Sequence, residues 1–454
     1  GLSAAELAAR ALGAAPAGDG SFAAASREHS LMLRFAASRP TQATAVDDMT
    51  VELAVLRDGH VGRASTNDLS DEALAACGRR AANAAEAAAR SIGSGPYPGF
   101  PAPTPARSHS GRDPATARLN AAIGGAQLVA AFEVADRAGT EAHGIWTAAE
   151  IETAVASSAG GAASERVTDA FMKVICIAPS GRSGYAARTA VAMGELDGAA
   201  LAERAAGKAM AEGDPVRLGP GEYPVVMEPA ALGPLLDMLA ITAFNGLAHA
   251  EGRGALQGRL GARVAAPAIN LSDSPRFPRT LPRTFDAEGV PKAPLPLIQD
   301  GVAQGVVHDV HSAALAGARS TGHALEVGGS ADGPLPTNLV LTGGGAADET
   351  ELCGPIERGI YVTRLWYANV VRPSESLVTA VTRDGTFLIE DGKISRPLAD
   401  TRVTDSVLGI LGRTQALSAR PELVSDGEFY GRRFAHGVAC PALRAGSVRF
   451  TGSA

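Results

Sequence analysis

The sequence is poor in aromatic residues and contains neither a long apolar run nor a cluster of basic residues. Aromatic side chains make up 4% of the 454 residues, and the formal net charge is -7. Without a run of Lys and Arg, a surface that neutralises nucleic-acid phosphates is not expected. No apolar run approaches the ~20 residues of a membrane span, and the N-terminus lacks the pattern of a signal peptide. We therefore expect a cytoplasmic protein without nucleic-acid or membrane partners.

Cysteine is also scarce, and the spacing of the cysteines is uninformative for metal binding. They form no CxxC pair, which argues against a disulfide framework and against a cysteine-rich zinc site. Buried thiols in a reducing compartment are the expectation for all or most of Cys77, Cys176, Cys353 and Cys440.

The length exceeds what one hydrophobic core usually supports, so two domains are expected. Helix and strand signals alternate up to about residue 214, after which the chain becomes mostly β. The predicted fold class is α+β, with an N-terminal two-layer α/β domain over 1–214 and a C-terminal mostly antiparallel β domain over 215–454. Asp-Gly pairs between apolar runs predict tight hairpins at Asp58-Gly59, Asp300-Gly301, Asp384-Gly385 and Asp391-Gly392.

Several short patterns carry chemically active side chains, but none is specific. His249 and Glu251 match the HxE of zinc deaminases, yet no PCxxC pair completes the metal site, so a solvated loop is the simpler interpretation. His308 and His311 have HxxH spacing, but on the strand expected there they would point to opposite faces. The glycine run "TGGGAADE" lacks the Lys-Ser/Thr of a P-loop and is interpreted as a turn before a short helix.

Asp286 and Glu288 are predicted on one face of a strand, where they would form a paired-acid site. The competing interpretation is that they hold a loop by accepting backbone hydrogen bonds. The residues alone therefore indicate a two-domain protein without an evident active site.

Collinear segments spanning nearly the whole chain resemble the TldD/PmbA (TldE) family. They include "DGHVGRASTNDLSDEAL", "GEYPVVMEPAALGPLL", "GRLGARV", "RTFDAEGVPKAPLPLIQDGVAQGVVHDVHS" and "RGIYVTRLWYANVVRPSESLVTAV". The resemblance implies an α/β domain followed by a β domain, and a dimer that encloses a cavity. It further implies that the TldD branch is a zinc metallopeptidase, with two ligands and a base from HExxxH and a third ligand from a cysteine near the C-terminus. Such a zinc polarises the peptide carbonyl and lowers the pKa of its water to about 7.

In this chain the HExxxH position falls on "DMLAIT", with Asp237 and Thr242 at the ligand positions and Met238 at the base. Methionine cannot accept a proton and threonine is a poor zinc ligand. Cys440 then has no histidine partners. The segment instead predicts a packing helix that ends at Asn245-Gly246, with apolar positions Leu235, Leu236, Leu239, Ala240 and Ala243.

The degenerate motif indicates a TldE/PmbA-like subunit without catalytic residues or a cofactor of its own. It would pair with a TldD-like chain that carries HExxxH and zinc, and the pair would process peptides or peptide-derived precursors. The alternative is a homodimeric ligand-binding or scaffold protein. Candidates to line its cavity are His249, Glu251, Arg253, Asp286 and Glu288. A third possibility keeps an unusual metal site, assembled from Asp237, His249, Glu251 or His308.

Overall fold

The computed structural model describes residues 2–105, 107–427 and 431–453 and arranges them around three β-sheets. The α-helices are α1 Ala4–Ala14, α2 Asp71–Ile92, α3 Pro114–Ala117, α4 Ala121–Arg137, α5 Gly198–Ala209, α6 Pro229–Leu239, α7 Gly246–Ala250, α8 Val310–Ala316, α9 Glu349–Cys353 and α10 Val407–Gly412. The strands of the first sheet are β1 Gly20–Ala36, β2 Arg39–Arg57, β3 His60–Thr66, β4 Glu141–Ser157, β5 Ala162–Ile177 and β6 Ser183–Ala190.

The remaining strands follow in the second half of the chain. They are β7 Gly221–Met227, β8 Leu271–Asp273, β9 Leu295–Gln299, β10 Val302–Ala303, β11 Leu339–Leu341, β12 Arg358–Val362, β13 Leu365–Arg372, β14 Leu377–Thr382, β15 Thr386–Glu390, β16 Lys393–Leu398, β17 Thr401–Ser406, β18 Thr414–Leu417, β19 Glu422–Val424, β20 Val438–Cys440 and β21 Leu443–Ser453. Short 3-10 turns cover Met193–Glu195 and Pro373–Glu375, and a π turn covers Ala240–Phe244.

The first sheet is antiparallel throughout, in the order β3-β2-β1-β4-β5-β6, and helices cover its buried face. Leu128 of α4 and Leu201 of α5 pack into one core with Trp146 of the sheet, whereas Leu7 and Leu74 of α1 and α2 share another core with β2. Burying such side chains contributes roughly 1.5–3 kcal/mol each. The predicted two-layer α/β arrangement is confirmed.

The second and third sheets are also mainly antiparallel. Their orders are β10-β9-β8-β11-β20-β19 and β13-β14-β17-β21-β7-β12-β15-β16, and β18 pairs with β21. Parallel pairing occurs between β11 and β20 and between β7 and β12. The fold-class prediction of a mostly antiparallel second half is therefore confirmed. The boundary between 214 and 215 falls in the segment between α5 and β7 and stays a prediction.

Local sequence signals account for the ends of several elements. Ser3 begins α1 with a capping box, in which its hydroxyl accepts from the backbone N–H of Glu6 and the Glu6 carboxylate accepts from the Ser3 N–H. Ser70 caps α2 by accepting from the Ala73 N–H at 3.3 Å. All four cysteines are buried and free. None of the described helices is long and apolar enough to cross a membrane.

The four Asp-Gly pairs predicted to form hairpins adopt positive φ at both residues, as tight turns require. Asp58-Gly59, Asp300-Gly301 and Asp391-Gly392 join paired neighbouring strands, so these three hairpins are confirmed. The hairpin predicted at Asp384-Gly385 is wrong, because this turn passes the chain from β14 to β15, which have different partners. A turn sequence fixes the local reversal but not which strands pair.

The turn at Gly59 provides a test of this packing. Gly59 has φ +73° and an added Cβ would lie 2.1 Å from the Gly95 carbonyl oxygen, whereas Gly139 has φ +70° and open space around it. We expect Gly139→Ala to cost roughly 1–2 kcal/mol of unfolding free energy, from backbone conformation alone. Gly59→Ala should cost roughly 2–4 kcal/mol, because overpacking adds to that strain. Urea unfolding of both variants measures the difference, and equal losses would contradict the close approach.

Candidate functional site

A cavity of about 260 Å³ lies beside Asp237 and Met238, where the resemblance implies the HExxxH motif. Helix α6 forms one wall, the start of β13 forms another, and the segments after β19 and before β20 close the remainder. The polar and aromatic residues that line it include Asp237, Met238, Trp366, Tyr367, Asp426 and His436. Helix α6, the start of β13 and the segments that flank β19 and β20 are each more than 50 residues apart in sequence, so only the folded chain assembles this cavity.

Helix α6 is held by its apolar face. The predicted packing positions Leu235, Leu236, Leu239, Ala240 and Ala243 are all buried in the largest core that the described residues form. The helical segment ends at Asn245 as predicted, because the Asn245 backbone is extended, but Gly246 begins α7 and does not cap the end of α6. The helix passes into the π turn Ala240–Phe244, and the Asn245 side chain then caps α7 by accepting from the N–H groups of Leu247 and Ala248.

The π turn has a geometric consequence for the motif. Asp237 and Thr242 are five residues apart, which on a regular α-helix places them about 140° apart around the axis. A π turn, with hydrogen bonds from i to i+5, brings residues of this spacing towards one face and is frequent at functional sites. The backbone is therefore wound so that positions spaced as the two histidines of HExxxH approach one face, although this chain has Asp237 and Thr242 at those positions.

The side chains at the motif do not fit a zinc ion. The Thr242 hydroxyl donates to the Met238 carbonyl oxygen at 2.9 Å, back along its own helix, and the Met238 thioether cannot act as a base. The Cys440 thiol donates to the Pro229 carbonyl oxygen at 3.7 Å, and burial raises its pKa well above the usual value. A protonated thiol is a poor metal ligand. Within the described residues, no group of three or more His, Cys, Asp and Glu side chains could hold a metal ion.

Asp237 is the one motif residue with a titratable side chain facing the cavity. No hydrogen bond or ion pair joins its carboxylate to any other side chain or backbone group in the described structure. The pKa of Asp237 is raised to about 6, chiefly because the carboxylate is buried; His436 opposes this shift and Asp426 adds to it. An ionised carboxylate here is therefore held at a free-energy cost.

The opposite wall carries an arginine and two exposed aromatic rings. The Arg364 guanidinium lies 4.0 Å above the Tyr185 ring and forms an ion pair with Asp384, which compensates its charge. Trp366 and Tyr367 are 45% and 67% exposed, and their ring centroids are 5.4 Å apart. Tyr367 has φ +55°, which is uncommon for a residue other than glycine and is found at functional sites.

The candidates at the end of α7 do not line this cavity. His249 lies on α7, its Nδ1 is buried without a hydrogen-bond partner in the described structure, and burial lowers its pKa. Glu251 and Arg253 are exposed and form an ion pair with each other. An exposed pair of this kind contributes little to stability.

Asp286 and Glu288 are not on a strand as predicted, because the chain turns between β8 and β9 there. Asp286 accepts from the N–H groups of Glu288, Val290 and Ala324 at 2.8–2.9 Å. The Glu288 carboxylate accepts hydrogen bonds from Tyr97 Oη, Val310 N and Gly328 N. Both acids thus hold loops, and burial raises the pKa of each.

Asp286 in addition lines a second cavity of about 180 Å³, between the first sheet and the loops of the second half. Arg283, Lys292 and His323 lie on the same wall. Lys292 Nζ is 3.4 Å from Asp273 Oδ2, and His323 Nε2 is 2.9 Å from the same oxygen, so this cavity is lined by a buried charged cluster. Glu288 does not line it.

The strand expected at His308 and His311 is also wrong. Helix α8 starts directly after His308, because Asp309 caps it by accepting from the Ser312 N–H at 2.7 Å. His308 Nδ1 shares a hydrogen bond of 3.0 Å with Ser312 Oγ, and burial lowers its pKa. The unusual metal site proposed from Asp237, His249, Glu251 and His308 is not assembled in the described structure.

Sequence reasoning missed Trp366, Tyr367, Asp426 and His436. One signal was available, because adjacent Trp and Tyr are conspicuous in a chain with 4% aromatic residues. The two polar residues come from segments without a pattern, and only their tertiary placement beside α6 distinguishes them.

The raised pKa of Asp237 predicts that the free energy of unfolding depends on pH. Its pKa is raised from 3.8 to about 6 in the folded chain, so the folded state binds the proton more tightly than the unfolded state. The resulting penalty is absent below about pH 4, grows as the pH rises through 6, and persists above it. Asp237→Asn should therefore raise unfolding free energy at pH 8 by roughly 1–2 kcal/mol, discounted for partial exposure, and by nearly nothing at pH 4.

The measurement is the difference in thermal or urea stability between Asp237→Asn and the parent chain at both pH values. Asp136→Asn is the matched control, because Asp136 is exposed on α4 and removes the same charge. A difference that is independent of pH, or a loss of stability at pH 8, would contradict the absence of a partner for Asp237.

Comparison with known proteins identifies the family. Residues 23–88 match PmbA/TldA metallopeptidase domain 1, and residues 220–452 match the PmbA/TldA metallopeptidase C-terminal domain. A metalloprotease TldD homolog from Haemophilus influenzae is 26% identical over 268 residues, covering 57% of this chain and 54% of that protein. A metalloprotease from Methanothermobacter thermautotrophicus is 25% identical over 191 residues, covering 42% and 41% respectively. The chain therefore spans about half the length of the curated relatives it matches.

The fold is shared with a solved structure over nearly the entire length. TldE from Thermococcus kodakarensis superimposes with a TM-score of 0.85, covering 98% of this chain and 99% of that chain, at 20% sequence identity. At 20% sequence identity, this similarity shows a shared fold and no more. Together with the two matched domains, which include more than half of the residues, it shows that the chain belongs to the TldD/PmbA metallopeptidase family and has a TldE-like fold.

Proposed function

We propose that this chain is a non-catalytic, TldE/PmbA-like subunit of a heterodimeric zinc metallopeptidase. Its partner is a TldD-like chain that carries HExxxH and the zinc ion. The two chains enclose a cavity in which peptides or peptide-derived precursors are processed. The metalloprotease activity named for the two curated relatives supports peptide chemistry, although this chain spans only about half of their length.

The observation that carries this proposal is the chemistry of the motif. The second ligand position, Thr242, bonds to its own helix, and the base position is the methionine Met238. Without two histidines and a carboxylate base, the site lacks the groups that would hold zinc and activate its water. The π turn supports descent from such a site, because a spacing of five residues requires it for convergence.

An exposed strand supports a role in peptide handling. Within the described sheets β13 is an edge strand that pairs only with β14, and it borders the cavity beside α6. Its outer backbone groups are available to an extended peptide, which binds by adding a strand. This chain then contributes a wall and a sheet edge, and the partner contributes the reaction.

A second candidate is a homodimeric protein that binds a small polar ligand. The observation that favours it is the cavity of about 180 Å³ with Arg283, Lys292 and Asp286 on its wall. Ligand pockets typically combine apolar surface with a few placed polar groups. Phe285 and Phe434 supply apolar surface in this cavity.

Native mass spectrometry on the tagged chain, purified from its own host, separates the two candidates. We expect a 1:1 complex with a second chain of similar mass that contains one zinc ion, because this chain cannot supply the ligands. The control is the chain expressed alone, which should carry no stoichiometric zinc.

A zinc-free homodimer from the host would instead support the ligand-binding protein. Stoichiometric zinc in the chain expressed alone would contradict both candidates, because it would require ligands that the motif position lacks. Peptidase assays on the two preparations complete the test, with activity expected only in the complex.

A further inference from the structure

The cavity of about 180 Å³ that Asp286 lines holds a guanidinium that forms no ion pair within the described residues. Arg283 follows Pro282 in the segment between β8 and β9, and it donates to the Ala435 carbonyl oxygen at 2.7 Å. Its guanidinium carbon lies 4.0 Å from the centre of the Phe434 ring, so one flat face of the group is covered. A guanidinium carries five N–H groups along its edge, and the described residues accept from one of them.

The carboxylates that act on Arg283 are bound by other groups. Glu165 lies 3.2 Å from His109 Nε2, and Asp169 forms an ion pair with Arg433. Burial lowers the pKa of Arg283, and Glu165 and Asp169 oppose this shift although neither forms an ion pair with it. The charge is therefore held in the wall at a cost in free energy, and its remaining N–H groups are available to a ligand.

The other charged groups of the wall favour an acceptor as the ligand group. Lys292 Nζ donates to the Gly322 carbonyl oxygen at 3.1 Å and lies 3.4 Å from Asp273 Oδ2. Both oxygens of Asp286 accept from backbone N–H groups. Arg432 forms no ion pair within the described residues, although acidic side chains of the first sheet act on its charge. The acids of the wall are thus occupied while its arginines retain donors, which suits a carboxylate better than a cation.

The rest of the wall is apolar and limits the size of the ligand. Phe285, Ile151 and Leu325 line it, and Phe434, which also lines it, is 40% exposed, so the cavity communicates with the surface. An apolar cavity of ~150 Å³ holds one benzene molecule. A cavity of about 180 Å³ therefore accommodates a single ring or a short branched chain that ends in a carboxylate.

We propose that this cavity binds a carboxylate attached to a small apolar group, with Arg283 holding the carboxylate and Phe285 beside the apolar group. The edge of a guanidinium matches the two oxygens of a carboxylate, and such charge-assisted hydrogen bonds are stronger than neutral ones. The carboxylate belongs to a free organic acid or to the C-terminus of a peptide. The inference names a ligand class for the cavity of the second candidate function, but it holds for either candidate, because these residues belong to this chain alone.

The test compares three probes of similar shape, which are benzoate, benzamide and benzylamine. Binding is measured by calorimetry on the protein in the assembly in which it is isolated, in Tris chloride buffer, which contains no carboxylate. We expect benzoate to bind about tenfold or more tightly than benzamide, because its oxygens accept charge-assisted hydrogen bonds. Benzylamine should bind more weakly than benzoate, because the acids of the wall are occupied.

Arg283→Met should abolish the preference for benzoate over benzamide, because methionine keeps an apolar stem and loses the donors. Arg279→Met is the matched control and should retain the preference, because Arg279 is exposed outside this cavity and likewise donates to one backbone carbonyl, that of Pro421, at 3.2 Å. Arg283→Lys keeps the charge without the planar fork and should reduce the preference without abolishing it. Thermal unfolding without a probe checks that each variant is folded.

Two further probes distinguish the source of the carboxylate. They are N-acetyl-alanyl-phenylalanine with a free C-terminal carboxylate and the same dipeptide as its amide. A preference for the free acid as large as that for benzoate assigns the C-terminus of a peptide. A preference confined to benzoate assigns a free organic acid.

Equal affinities for benzoate and benzamide would overturn the carboxylate site, and so would a preference that survives in Arg283→Met. Tighter binding of benzylamine would also overturn it, because the acids of the wall would then dominate, as would the absence of binding by every probe. Each result is distinguishable from failure of the proposed function, which native mass spectrometry decides by the mass and zinc content of the complex, without any probe.

Discussion

The burial of α6 is the constraint on which the candidate site depends. Leu232, Leu235, Leu236 and Leu239 are completely buried between the two sheets of the second half. Burial of each leucine contributes roughly 1.5–3 kcal/mol to the stability of the fold. This buried face is therefore sufficient to hold α6 in place, independently of the side chains on its other face. The position of α6, and of the π turn that follows it, therefore depends on this buried face and not on the residues that line the cavity.

Buried polar contacts join the first sheet to the loops that enclose the cavities. Arg433 lies between Asp169 and Thr147 of the first sheet, with Nη1 2.8 Å from Thr147 Oγ1. Tyr97, in the segment between α2 and α3, donates to Glu288 at 2.8 Å and so joins this segment to the loop between β8 and β9. Because removing one partner of a buried ion pair costs about 3–5 kcal/mol, these contacts define how the walls meet.

The sequence predicted those features that depend on neighbouring residues. The caps at Ser3 and Ser70 and the turn at Asp58-Gly59 are local, and they were found as expected. The strand assigned to Asp286 failed because backbone N–H groups from three positions, one of them distant in sequence, stabilise a turn there. Resemblance located the motif position, but nothing local could place Asp426 or His436 beside it. Tertiary contacts bring such residues together, and the hydrophobic periodicity of the sequence contains no information about those contacts.

Asp237 departs from the usual rule for buried carboxylates, because burial raises its pKa and no hydrogen bond compensates in the described structure. A carboxylate in a cavity wall normally gains a hydrogen-bond partner, since burial without one costs free energy. Here Arg364 lines the same cavity but forms an ion pair with Asp384, so it does not supply a partner for Asp237. Local violations of this kind concentrate at functional sites, where a ligand completes what the chain leaves open. The position at which the resemblance implies a metal ligand therefore remains chemically distinct, because the Asp237 carboxylate lines the same cavity as the exposed rings of Trp366 and Tyr367.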